Sequence, residues 1–74
     1  QMAGAAMGMS DRRVKTDIAR VGTLDNGLPV YVYRFKHGGP PQIGVMAQDV
    51  EQVKPHAVAE IGGIKHVNYA EAVQ

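Results

Sequence analysis

Ser10 and Lys15 are the residues whose types and spacing most clearly allow chemistry, and they lie five positions apart in the charged segment Ser10 to Ile18. A serine hydroxyl becomes an effective nucleophile when a neighbouring base removes its proton, and a neutral lysine amine can be that base. The pair is therefore a candidate Ser-Lys dyad. On spacing alone a simpler interpretation is favoured, in which Ser10 caps a short helix and Lys15 lies in solvent.

The backbone between Ser10 and Lys15 decides whether the two side chains can meet. Five residues correspond to roughly 140° around an ideal α-helix, and to opposite faces of a regular strand. A working dyad therefore requires a break in regular structure between them, or a lysine supplied by another subunit. The lysine must also be neutral, with a pKa well below about 10.4. Burial and the charges of Arg12 and Arg13 would lower that pKa, whereas the neighbouring carboxylates would raise it.

The segment around this pair is predicted to be helical, and the clearest strand follows it. Val14, Ile18 and Val21 recur at helical spacing, which predicts a short helix over residues 10–21 that Ser10 would cap. An Asn-Gly turn then precedes a strand over residues 29–36.

That strand carries an aromatic row on one face. Its alternation places Tyr31, Tyr33 and Phe35 together, and we predict that this row lies in the core or at a subunit interface.

The second half of the chain is predicted to alternate short elements. An apolar run over residues 43–47 is either a strand or the start of a helix, and a helix over residues 48–54 ends at Pro55. A hairpin about Gly62-Gly63 follows over residues 57–69, and a terminal helix covers residues 70–74. The whole order predicts a small α+β domain of short strands and short helices.

Composition limits the possible functions. The chain has 74 residues, no cysteine and a net charge of +1 with acids and bases interspersed. One domain of this size has a marginal core, which oligomerisation or contact with other parts of a longer chain would support. Disulfides and thiolate metal sites are excluded, and no basic face indicates nucleic-acid binding.

No apolar run approaches the roughly 20 residues of a membrane span, so no membrane partner is expected. Residues 1–9 lack the basic flank and long apolar centre of a signal peptide. We predict that they are a linker or the end of an upstream element.

Three sequence blocks resemble one known family. Ser10 to Ile18 is similar to its opening signature Ser-Asp-x-Arg-Leu-Lys-x-Asp-Ile, with Val in place of Leu, and Gly44 to Val50 is similar to its central Gly-x-x-Ala-Gln-Asp/Glu-Val block. Pro55 to Val58 and Val67 to Tyr69 are similar to its final Pro-x-x-Val and Val-Asp/Asn-Tyr blocks. The family is the intramolecular chaperone domain at the C-terminus of phage tailspikes, tail fibres and endosialidases. The blocks occur in order and cover residues 10–74.

The resemblance implies a self-cleaving chaperone. Such a domain forms an intertwined homotrimer, helps three fibre chains to fold and align, and then removes itself as a single-turnover serine endopeptidase. The matching positions of the opening block imply that Ser10 is the nucleophile and Lys15 its base. The bond cut would lie beside Ser10, so that Met9 or Asp11 would be across the cut.

The resemblance also implies a place for the domain. Residues 1–9 would join an upstream tail-fibre or tailspike domain of the same chain, residues 10–74 would be the chaperone domain, and a coiled coil would follow. The expected location is the virion tail fibre, or the host cytoplasm during assembly.

The histidines bear on possible metal, cofactor and auxiliary roles, and two other functions remain open. His37, His56 and His66 lack ligand-like spacing, so neither a metal nor a cofactor is expected. His37 and His56 could lie near Ser10 and assist it, although a solvent-facing histidine is the simpler expectation for each. One alternative function is a non-cleaving trimeric connector of a tail fibre, with Ser10 as a cap. Another is an adhesive module that binds a host surface.

Overall fold

The computed structural model describes residues 7–74, which form two three-stranded sheets and two short α-helices. The strands are β1 (Met7–Met9), β2 (Lys15–Thr23), β3 (Pro29–Phe35), β4 (Gln42–Gly44), β5 (Val58–Ile61) and β6 (Ile64–Asn68). The helices are α1 (Ala47–Val53) and α2 (Tyr69–Ala72), and two single 3₁₀ turns cover Arg12–Val14 and Pro55–Ala57. The predicted α+β class is confirmed.

The first sheet joins the beginning of the described chain to its end. Its order is β1-β6-β5 and both pairs are antiparallel. β5 and β6 form the predicted hairpin, and Gly62 and Gly63 at its tip have φ values of 59° and 79°, which glycine adopts without strain. β1 lies against β6 with Gly8 directly opposite Val67. Met7–Met9, predicted to be linker or upstream element, are thus a strand, and residues 1–6 lie outside the described residues.

The second sheet has the order β2-β3-β4, again with antiparallel pairs. The predicted Asn-Gly turn connects β2 to β3: Gly27 has a φ of 92°, and the amide of Leu24 donates to the carbonyl of Leu28 at 2.8 Å. The predicted strand is β3. A register shift interrupts the β2–β3 pairing between Thr16 and Ala19, and Asp17 within it has a φ of 54°.

The predicted helix over residues 10–21 is wrong. Residues 12–14 form a 3₁₀ turn, and Lys15–Thr23 form the longest strand. The turn is capped by Asp11, whose carboxylate accepts from the amide of Arg13, and not by Ser10. Pairing of β2 with β3 supplies long-range backbone hydrogen bonds that an isolated short helix lacks, and β-branched side chains suit a strand.

The core consists mainly of aliphatic side chains from the helices, from β6 and from the positions that flank β3 and β4. Its buried cluster contains Leu28, Val45, Ala47, Val50, Ala57, Val67 and Ala72. α2 begins at the side chain of Asn68, which accepts from the amide of Glu71 at 3.1 Å. No helix within residues 7–74 has the length and apolarity needed to cross a membrane.

Candidate active site

The 3₁₀ turn Arg12–Val14 is the break that brings Ser10 and Lys15 together. Ser10 follows β1, and Lys15 opens β2. Between them the amide of Val14 donates to the carbonyl of Asp11 at 3.1 Å, which reverses the chain within three residues. The two side chains thus meet within one chain, by the first of the two routes that the spacing allows.

Ser10 and Lys15 form a buried contact that includes a backbone carbonyl. Lys15 Nζ lies 3.2 Å from Ser10 Oγ, and the two residues are 2% and 0% exposed. The Ser10 hydroxyl donates to the carbonyl oxygen of Val45 at 2.6 Å. Lys15 Nζ donates to the same oxygen at 3.0 Å. Each polar group in this contact has a partner, which burial requires.

The backbone of Ser10 is fixed from two sides. Its amide donates to the carbonyl of Lys65 in β6 at 3.1 Å, and its carbonyl accepts from the amide of Ala47 at 2.8 Å. Ala47 begins α1. Ser10 is therefore held between the first sheet and the start of α1, independently of its hydroxyl.

The environment of Lys15 favours the neutral amine that a base requires. Burial, and second the nearby charge of Arg12, lower the pKa of Lys15 to about 8, while Asp11 opposes this shift. The ring of Tyr33 lies 3.9 Å from Nζ and also favours the charged form. With a pKa near 8, roughly a tenth of the amine is neutral at pH 7.

Asp11 is a fully buried carboxylate that organises the turn. It accepts from Arg13 Nη2 at 2.6 Å, from Gln48 Nε2 at 2.8 Å and from the amide of Lys65 at 3.0 Å. The Arg13 side chain is the main reason that the pKa of Asp11 lies well below its usual range, although burial opposes the shift. Asp11 therefore remains charged and links the turn to α1 and β6.

Two parts of the site were not assigned chemistry from the sequence. Gln48 braces the turn, because its Oε1 accepts from the amide of Arg12 at 2.9 Å while its Nε2 donates to Asp11. The carbonyl of Val45 is a backbone group, and no side-chain pattern identifies it. Only its position within the recognisable block Gly44 to Val50 could have indicated a role.

The two auxiliary histidines have other partners. His37 is exposed and stacks on Phe35 with ring centroids 5.2 Å apart. His56 is exposed, and its Nε2 lies 3.5 Å from a carboxylate oxygen of Glu71. Neither forms a hydrogen bond with Ser10 or Lys15 in the part of the chain that the structure describes. Over the same residues, no group of three or more metal-binding side chains is found.

Comparison with known proteins gives one match. The family described as the chaperone of endosialidase matches residues 10–59, well over half of the chain. This span includes Ser10, Lys15 and the carbonyl of Val45. No curated protein and no solved structure matches the chain. The family resemblance is thereby confirmed, and the chain belongs to the chaperone of endosialidase family.

Proposed function

We propose that this domain is the chaperone of a tail-fibre or tailspike chain, that it trimerises, and that it releases itself by autoproteolysis through Ser10 and Lys15. The observation that carries the proposal is the buried contact of 3.2 Å between Ser10 Oγ and Lys15 Nζ. A lysine whose pKa is lowered to about 8 is suited to act as a base near neutral pH. The family description supports the chaperone role.

The scissile bond is assigned to Met9–Ser10 on grounds of ring size. If the Ser10 hydroxyl attacked the carbonyl of its own residue, a strained four-membered ring would form. Attack on the preceding carbonyl, that of Met9, closes a five-membered ring instead. The bond that precedes Ser10 is therefore the favoured substrate, and Asp11 stays with the domain.

Cleavage then proceeds in two balanced stages. Neutral Lys15 takes the proton of the Ser10 hydroxyl while Oγ attacks the Met9 carbonyl carbon. The C–N bond breaks, the Ser10 nitrogen receives the proton from Lys15, and Met9 is left esterified to Oγ. Water adds to this ester and the C–O bond breaks. The products are an upstream chain with a C-terminal Met9 carboxylate and a domain that begins with the free amine of Ser10.

The described arrangement corresponds to a resting state of this reaction. The Ser10 hydroxyl donates to the Val45 carbonyl, and the lysine donates to both oxygens. Once Lys15 is neutral, a rotation of the hydroxyl directs its proton to Nζ, and the Val45 carbonyl still orients the amine. The proton transfer requires no movement of the backbone.

Trimerisation is assigned to the outer face of the second sheet. Ala19, Val32 and Ile43 lie directly opposite one another on neighbouring strands, and such residues share a face. Ile43 is 68% exposed, and Ala19 is also exposed. We propose that further copies of this chain cover this apolar row. Three domains in register would lower the entropic cost of aligning long β-rich fibre chains, and cleavage would make the finished fibre kinetically trapped.

The test compares variants of a chain that includes the upstream fibre domain. Ser10→Ala and Lys15→Ala should each abolish the smaller bands seen on a denaturing gel. The matched controls, Thr23→Ala and Lys36→Ala, alter exposed residues and should cleave like the wild type. Intact mass should place the cut between Met9 and Ser10. Identical uncut bands in all five chains would contradict autoproteolysis and leave the connector function.

A further inference from the structure

Gly8 lies two residues before Ser10 and is tightly covered by an aromatic ring. A Cβ atom built on Gly8 would lie 2.9 Å from Cε2 of Tyr69, with the Tyr69 hydroxyl and Cζ at 3.7 and 3.8 Å. Carbon atoms pack at about 3.5–4.0 Å, so even a methyl group does not fit unless the ring or the strand moves. The space at position 8 of β1 therefore suits glycine, which has no Cβ.

The register of the first sheet explains why position 8 faces the ring. Gly8 lies directly opposite Val67, which is fully buried, so a side chain at position 8 would point toward the core. Met9 is the next residue, points to the other face of the strand, and is 36% exposed. The side chain at position 9, next to the proposed cut, therefore has more space than a side chain at position 8 would have.

Tyr69 is not free to move away. It is the first residue of α2, and its ring packs against the buried core cluster. Its phenol is also close enough to Tyr33 to raise the pKa of that residue, after the larger effect of burial. Tyr33 in turn contacts Lys15 Nζ through its ring. Tyr69 thus connects the strand that would be cut with the residues around the base.

We propose that Tyr69 makes this domain specific for upstream segments that bind as an extended strand with glycine two residues before the serine. This inference rests on the proposed self-cleavage for its catalytic meaning. The upstream segment is recognised by its backbone, through the ladder with β6, and by the absence of a side chain at position 8. Tyr69 is a positioning residue, because it touches the segment and not the reacting atoms.

A size series at position 8 tests the effect on cleavage. Gly8→Ala should slow cleavage, and Gly8→Val should slow it further, by on the order of 100-fold, because small misplacements of a reacting group have effects of this size. Tyr69→Ala added to Gly8→Val should recover part of the rate, since it removes the atoms that clash. Gly22→Val is the matched control: Gly22 lies in β2, and nothing lies within 4 Å of an added Cβ.

A second measurement separates this inference from the proposed cleavage. In a Ser10→Ala chain, which cannot be cut, hydrogen exchange of residues 7–9 reports how firmly β1 binds to β6. Gly8→Val should speed that exchange, and adding Tyr69→Ala should slow it again. The inference would be overturned if the Gly8→Val chains showed the hydrogen exchange and the cleavage rate of the wild type. It would also be overturned if adding Tyr69→Ala restored neither the exchange nor the cleavage of Gly8→Val. A wild-type chain that is never cut, but shows the expected exchange, would overturn only the proposed cleavage.

Discussion

At the scale of single residues, the charge state of Lys15 connects stability with reactivity. Burial and the charge of Arg12 lower the pKa of folded Lys15 to about 8, whereas the pKa of the unfolded residue is about 10.5. The unfolded chain therefore binds more protons between these values, and the free energy of unfolding rises with pH across this window. Below about pH 8 the buried ammonium lowers stability. A residue kept despite such a cost is typical of a functional site.

The cleavage rate should follow the neutral fraction of Lys15. We expect the rate to rise about tenfold per pH unit below pH 8 and to level off above it, because only the neutral amine accepts a proton. Arg12→Gln should move the midpoint to higher pH, since the charge of Arg12 lowers the pKa of Lys15. Single-turnover rates between pH 6 and 10 measure both effects.

The control for that shift is Arg34→Gln, which alters an exposed arginine that bonds to the carbonyl of Gly39. The midpoint of the pH dependence of cleavage in Arg34→Gln should match that of the wild type. A rate that is independent of pH, or a midpoint unchanged in Arg12→Gln, would be incompatible with Lys15 as the base.

The sequence predicted the identity of these two residues better than their surroundings. The types of Ser10 and Lys15 made the pair a candidate, and the family resemblance favoured a dyad over a helix cap. The charges nearby indicated the direction in which Arg12 and Asp11 act on the lysine. The carbonyl of Val45 could not be predicted, because every residue carries the same backbone group and only the folded chain selects one. The covering ring of Tyr33 depends in the same way on how β3 lies against β2.

At the scale of elements, Asp11 is the point where the 3₁₀ turn, α1 and β6 meet. Its carboxylate accepts hydrogen bonds from Arg13, Gln48 and the amide of Lys65. The geometry that brings serine and lysine together therefore depends on a residue that performs no chemistry itself.

Asp11→Asn should destabilise the domain at neutral pH by roughly 1–3 kcal/mol, the usual cost of impairing a buried hydrogen-bonding group. The difference from the wild type should shrink as the pH falls below about 4. Because the folded-state pKa of Asp11 is depressed, protons then bind preferentially to the unfolded wild-type chain. Urea unfolding monitored between pH 2 and 7 measures the difference.

Asp25→Asn is the comparison for that experiment, since Asp25 is an exposed carboxylate in the turn before β3. It should leave stability nearly unchanged at every pH. Equal effects of the two substitutions would show that burial of Asp11 has no energetic role.

Most elements were predictable, whereas the strands β1 and β2 were not. β3, α1 and the β5–β6 hairpin follow from local signals: alternation, a stopping proline and paired glycines. β2 does not, because Val14, Ile18 and Val21 fit a helical stripe as well as an irregular strand. The bulge at Asp17 disturbs the alternation that would have revealed the strand, and pairing with β3 decides the outcome.

At the scale of the whole molecule, the small core leaves apolar surface that a single domain does not cover. The row Ala19, Val32 and Ile43 forms one such surface, on the outer face of the second sheet. Burial of this row between copies would add stability that a chain of this size lacks alone. It would also couple cleavage to assembly, because the buried contact between Ser10 and Lys15 exists only in the folded domain that assembly stabilises.

Ile43→Glu should lower the trimer fraction and the cleavage rate together. A carboxylate placed in an apolar interface costs more than an unpaired neutral polar group, for which the cost is roughly 1–3 kcal/mol. Val53→Glu is the matched control, since Val53 is 64% exposed and belongs to α1, which is not part of the second sheet. Native mass spectrometry gives the assembly state, and gel analysis of the same samples gives the extent of cleavage. A monomeric Ile43→Glu chain that cleaves at the wild-type rate would disprove the dependence.

The pairing of β1 with β6 affects how the two products of the proposed cleavage would separate. The proposed cleavage after Met9 would break one covalent bond and leave the ladder from Met7–Met9 to β6 in place. The severed end would then be a bound ligand of the domain, and its dissociation would have a rate of its own. A nicked complex would separate on a denaturing gel yet migrate as one species under native conditions. Departure of β1 would leave β6 as an open sheet edge, able to capture another strand.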